Sequence, residues 1–273
     1  MTSIQKVIKY LAIAFAVVLI VAIFSGIIGI IAAISGIASW SNDRATATVQ
    51  TDTVYSGTIS SDIHHLDMQI GAANVVIETG EFLSVETDNP YITVTEQDEK
   101  LLIREKSHIA NLDSSTVTVC IPEDLVFDEV DITTGAGLIN LETLTCRELD
   151  MELGAGKVEM DNLNVTGDAD IDGGAGQIII HSGNLNNLSF DMGVGEGDVV
   201  TVLTGQCDIS AGIGALYLTI PGKLEDYTIH TEQGIGRIEV DNMAMKGHGT
   251  IGSGANRLEI EGGIGNITVD FED

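Results

Sequence analysis

One short motif governs what this chain can fold into. Gly-x-Gly, with x an Ala, Val or Ile, occurs at Gly135–Gly137, Gly154–Gly156, Gly174–Gly176, Gly193–Gly195, Gly212–Gly214 and Gly234–Gly236. Gly254-Ala255-Asn256 and Gly263-Ile264-Gly265 close the series. The first glycines lie 19, 20, 19, 19, 22 and 20 residues apart, then 9. A fixed period of this size marks a repeat architecture, in which each unit buries its apolar face against its neighbours.

Aligning the copies on the second glycine shows the element type. Two residues beyond it lie Ile139, Val158, Ile178, Gly197, Leu216, Ile238, Leu258 and Ile267. Four residues beyond lie Leu141, Met160, Ile180, Val199, Leu218, Val240, Ile260 and Val269. Spacing by two is the signature of a strand with one buried face. Three residues before the first glycine, Ile132, Met151, Ile171, Phe190, Ile209 and Ile251 form a third apolar column, broken by Thr231. The expected fold is all-β: a β-solenoid or parallel β-helix with coils of about 20 residues. The twelve glycines Gly135, Gly137, Gly154, Gly156, Gly174, Gly176, Gly193, Gly195, Gly212, Gly214, Gly234 and Gly236 are its expected corners. The residue between each pair is expected to point inward and fill the corner.

Five segments follow from the composition along the chain. Residues 1–9 read as a short cytoplasmic tail, and 10–38 as a transmembrane helix, since Tyr10 to Ile37 is 28 residues without a charge. A bilayer core needs about 20 apolar residues. Lys6 and Lys9 precede that span and only Arg44 follows nearby, which predicts a signal anchor with the C-terminal body extracytoplasmic at the cell membrane. Residues 39–60 are Ser/Thr-rich and read as a tether. Residues 61–115 carry alternating segments without the full motif and are expected to form a β-rich N-terminal cap, and 116–273 the repeats.

Past residue 40 the chain holds 10 basic and 41 acidic side chains, a formal charge of −31. Such a body repels nucleic acid, which excludes that class of partner. The three cysteines, Cys120, Cys146 and Cys207, have no spacing suited to a disulfide framework or a zinc site.

The strand Thr118-Val119-Cys120-Ile121-Pro122, the rung Asp131-Ile-Thr-Thr-Gly135-Ala-Gly137 and the tail Glu261-Gly262-Gly263-Ile264-Gly265-Asn266-Ile267-Thr268-Val269 resemble a known family. It comprises bacterial β-strand-repeat proteins of unknown function that carry an adhesin label. The resemblance covers roughly residues 63–273. It implies a membrane-anchored or exported envelope protein and supplies no catalytic residues.

Candidate chemistry is confined to an acidic ribbon. Asp131, Asp150, Asp170 and Asp208 stand four residues before the first glycine, with Ser189 in the same column. Glu152, Asp172, Asp191 and Glu232 stand two before it. Both columns alternate with inward positions, so they should face solvent. Oxygen-only ligands on strands about 4.8 Å apart suit calcium or magnesium, making Asp131, Asp150, Glu152, Asp170, Asp172, Asp191 and Asp208 weak cation candidates. The plainer reading is a solvated face that keeps the body soluble. The calcium-repeat motif is absent, because Gly173-Gly174-Ala175-Gly176-Gln177-Ile178 has Ile where the aspartate belongs.

Paired carboxylates also serve glycan-acting β-helix enzymes, but a repeated column reads as patterning and no coil adds a sugar-binding cluster. Neither His64-His65 nor His108, His181, His230 and His248 has metal-ligand spacing. No catalytic residue and no cofactor is expected. The function expected is a non-enzymatic envelope module that binds a protein or cell-wall polymer. A self-assembling scaffold, with the C-terminal strand as a stacking end, is the alternative.

Overall fold

Alternation and corner glycines produce the expected strands, but the chain stacks them out of order. The computed structural model describes residues 54–60, 62–106 and 115–272. The cytoplasmic tail, the membrane helix, most of the tether and His108 lie outside them. Thr51–Asp273 is one compact unit with a continuous apolar core. Among the described residues no helix is long and apolar enough to cross a membrane. The one helical element they contain is a 3-10 turn at Leu224–Asp226.

The strands in chain order are β1 (Tyr55–Thr58), β2 (His65–Ile70), β3 (Asn74–Gly80), β4 (Ser84–Thr87), β5 (Ile92–Gln97), β6 (Lys100–Glu105), β7 (Thr116–Pro122) and β8 (Phe127–Val165). They continue as β9 (Ala169–Ile180), β10 (Gly183–Asn186), β11 (Leu188–Val200), β12 (Val202–Thr204), β13 (Gln206–Pro221), β14 (Tyr227–Val240), β15 (Met243–Met245), β16 (His248–Gly252) and β17 (Asn256–Glu272). Parallel pairing in register joins β8 to β9, β9 to β11, and β11 to β13. Each step superposes equivalent residues, as in Ala155 on Ala175 and Phe190 on Ile209.

At both ends the order departs from sequence. β13 pairs with β17, and β17 then pairs with β14. The last strand is therefore interior, and the expectation of a C-terminal stacking end is corrected. The true end coil, β14, has its outer edge covered by antiparallel β15 and β16. The N-terminal end uses the same device. Residues 65–80 are a coil between β8 and the outer strands β6 and β7, which antiparallel β5 and β4 cover in turn. The segment 61–115 thus supplies one interior coil as well as a cover. Closing each end with short antiparallel strands replaces a long parallel edge by short ones, which blunts the template offered to another chain.

Gly254 is not a corner. A Cβ there would meet the backbone of Asp226 and Tyr227, and the stacked copy is Gly263–Gly265, which sits on Gly212–Gly214. Hence the short spacing of 9. Leu258 and Ile260 belong to the arm before that corner, opposite Cys207 and Ile209, so Ile260 replaces Ile251 in the third column. Ile251 lies in β16 against Ile229. At Gly197 the missing side chain is compensated by Leu216, whose Cδ1 would lie 2.6 Å from a Cβ there.

Acidic groove and apolar corner as candidate binding surfaces

The corner sets the site. At Gly156, Gly176, Gly195 and Gly214 the backbone holds φ of 153°, 153°, 149° and 143°. A Cβ at any of them would sit within 1.9 Å of a carbonyl oxygen of the coil before. Only glycine permits coils to approach so closely while turning. Inward positions fall three residues before the first glycine and four after it, an odd separation, so the period-two alternation slips by one across the corner. The slip falls after the residue preceding the first glycine, which is buried at Leu153, Met192 and Ala211, and the middle residue points out. Ile213, Ile264 and Ile235 are 42%, 51% and 73% exposed, which corrects the expectation of an inward filler. Following the stack, this ridge reads Ala136, Ala155, Ala175, Val194, Ile213, Ile264, Ile235.

The acidic columns run beside the ridge. Register places Asp150 beside Asp170, Glu152 beside Asp172 and Asp172 beside Asp191. Beyond them come Asp208 against Glu259 and Glu261 against Glu232. Alignment on Gly254 hid Glu259 and Glu261; alignment on Gly263 would have found them. Loss of solvent, and then the neighbouring carboxylates Asp170, Asp131, Glu152 and Asp172, push the Asp150 pKa upward. Asp172 is raised similarly, by loss of solvent first and then by Asp170, Asp191 and Glu152. Along these acids, on the arm that leads into the corner, runs a shallow groove. One stretch of about 620 Å³ is lined by Glu152, Asp172, Asp191 and the corner glycines. A second of about 450 Å³ continues over Asp208, Glu232, Glu259 and Glu261.

The proximal end of the ribbon is neutralised. Asp67, in line with Asp131, is buried and receives Arg104 Nη2 at 2.6 Å, and Lys100 Nζ stands 3.4 Å from Asp131. Both cations come from β6, which sequence order alone does not bring alongside β2. Farther on, Lys157 and His181 bracket Glu159 at 2.6 and 3.0 Å and hold its carboxyl below the ordinary range.

Other candidates settle into structural roles. His65 Nδ1 lies 3.1 Å from Glu129, His230 bonds Thr250 at 3.0 Å, and His248 stands 3.7 Å from Glu232. Among the described residues no group of three or more His, Cys, Asp or Glu side chains is placed to hold a metal ion. Cys146 and Cys207 are buried, and burial pushes the Cys146 thiol up to about 12, which suppresses thiolate chemistry. An asparagine ladder on another side, with Asn184 donating to Asn164 at 3.0 Å and Thr204 to Asn186 at 2.9 Å, was not anticipated from the sequence.

The family profile described as Toastrack DUF4097 matches residues 74–254, about two thirds of the chain. The chain belongs to the Toastrack DUF4097 family. Three solved structures are similar to this Toastrack body. A "putative cell adhesion protein" from Clostridium sporogenes is 16% identical, covers 80% of this chain and 98% of its own, and has a TM-score of 0.37. A "putative adhesin" from Bacteroides fragilis is 15% identical over 79% of this chain and 95% of its own, with a TM-score of 0.36. Another from Parabacteroides distasonis is 17% identical over 80% and 95%, with a TM-score of 0.35. No curated protein matches the chain.

Proposed function

We propose that this Toastrack protein is a non-enzymatic module of the cell envelope, anchored by residues 10–38, which presents its β-solenoid to a protein or cell-wall polymer. The observation that carries the reading is the groove and ridge repeated from coil to coil. Such a surface offers an elongated partner one continuous contact across successive coils. Adhesin labels on the neighbouring structures agree with a binding role. The anchor rests on the uncharged span and on Lys6 and Lys9 before it.

Chemical cross-linking on intact cells followed by affinity capture tests the proposal. Recovery of one envelope component in stoichiometric amount is expected. Recovery of this protein alone, or its release into the soluble fraction, would contradict it. The scaffold alternative loses support, because both end coils are covered by antiparallel strands.

A further inference from the structure

We infer that the distal corner, Val194–Ile213–Ile264–Ile235, is a docking rail for an amphipathic helix that carries basic residues along one flank. The inference rests on reading the body as a binding module and names the class of partner it takes. Three observations support it.

The first is a gradient in side-chain size. Along the stack the ridge is alanine at Ala136, Ala155 and Ala175, then valine, then three exposed isoleucines in adjacent coils. Solubility favours small or polar groups at such positions, so the enlargement at one end alone points to contact. The second is spacing. Rungs recur about every 4.8 Å, close to the ~4.5 and ~6.0 Å rises between residues i, i+3 and i, i+4 of an α-helix. A helix laid along the rail can therefore seat successive apolar side chains between successive isoleucines. Four rungs span about 14 Å, or nine to ten helical residues.

The third is charge. Asp191, Glu261 and Glu232 stand three residues before Val194, Ile264 and Ile235 in their coils, and with Asp208 and Glu259 they line a groove on the arm that leads into the corner. Arg257 engages Glu259 at 2.7 Å, and His248 stands 3.7 Å from Glu232. A helix with lysine or arginine beside its apolar stripe places those cations over the groove. A second copy of this chain would instead bring two strongly acidic flanks together.

The test uses a fluorescently labelled leucine–lysine helix of about five turns, long enough to outreach the rail. The body alone, Thr51–Asp273, has a continuous core of its own and is the partner in the titration. Binding at least about tenfold tighter than for a scrambled peptide of the same composition is expected, weakening with salt. Ile264→Ser with Ile235→Ser should reduce it about tenfold while the melting temperature holds, since both side chains are exposed. Glu232→Gln with Glu261→Gln should flatten the salt dependence. Equal affinity for the scrambled peptide, or no change in the serine variant, would overturn the inference. So would a concentration-dependent dimer of the body that the serine variant abolishes, because the rail would then serve self-contact. Capture of no partner from cells bears on the envelope role instead, so the two failures are distinguishable.

Discussion

At the residue scale the corner glycines and their neighbours make opposite demands. Gly176 has φ of 153° and its Cβ would lie 1.8 Å from the carbonyl oxygen of Gly156. Gly176→Ala should therefore cost at least about 3 kcal/mol in chemical unfolding, strain and steric displacement together. Gly222, at φ of 140° with nothing near its Cβ, provides the contrast. Gly222→Ala bears the strain alone, about 1 kcal/mol. Between the glycines the outward residue should be nearly neutral: Ile235→Ser is expected to change stability by under about 0.5 kcal/mol. Ile171, fully buried, should cost about 2–5 kcal/mol when truncated to Ala. Equal costs for these two isoleucines would contradict the phase slip at the corner. That slip was legible in the sequence, as an odd spacing between apolar columns. Reading an aliphatic residue as necessarily inward concealed it.

At the element scale the ribbon couples stability to pH. Asp150 and Asp172 have pKa values raised above the ordinary 3.8, by lost solvation and then by their neighbours. The native body thus holds more protons than the unfolded chain in that range. This contribution is fully present below about 3.8 and is lost as pH rises through the raised values. Glu159, lowered by Lys157 and then His181, acts in the opposite sense, so the variant comparison isolates the ribbon. Asp150→Asn should raise the unfolding midpoint at neutral pH and flatten its decline between weakly acidic and neutral pH. A lower midpoint would indicate that the carboxylate makes a favourable contact instead.

The hairpins that cover the ends are also elements with readable chemistry. Asp98-Glu99 joins β5 to β6 with φ of 51° and 63°, the two-residue turn that prefers Asn-Gly. Glu99→Gly should stabilise the protein by about 0.5–1 kcal/mol, measured by thermal melting. In the sequence, four polar residues, Gln97-Asp98-Glu99-Lys100, between two alternating segments mark this turn by their position and polarity. They did not disclose Glu105, which accepts the corner amides of Gly71 and Ala72 at 2.7 and 2.9 Å, because that contact depends on where β6 is placed.

At the scale of the whole molecule, coil shape was legible and coil order was not. Every coil offers its neighbour the same backbone edge and, apart from Thr231 in β14, the same apolar columns, so little that is local distinguishes β14 from β17 as the partner of β13. The order is decided by specific long-range contacts. Tyr227 donates to the Leu203 carbonyl at 2.9 Å and packs on Phe271 with ring centroids 5.2 Å apart, which ties β14 and β17 to the coils before them. With both ends covered, the body should sediment as a monomer at all concentrations. A species that grows with concentration would reopen lateral or end-on assembly.

Disulfide trapping tests the stacking order most directly. Cys120, Cys146 and Cys207 are first replaced by Ala. Asp208 and Glu259 are register partners, and so are Glu259 and His230. Adjacent parallel strands place Cα atoms about 4.8 Å apart, within disulfide range, whereas a second-neighbour strand lies about 10 Å away, beyond it. The pair Asp208→Cys/Glu259→Cys should oxidise readily and the pair Asp208→Cys/His230→Cys should not. Efficient trapping of the second pair, with failure of the first, would contradict the interior position of the C-terminal coil.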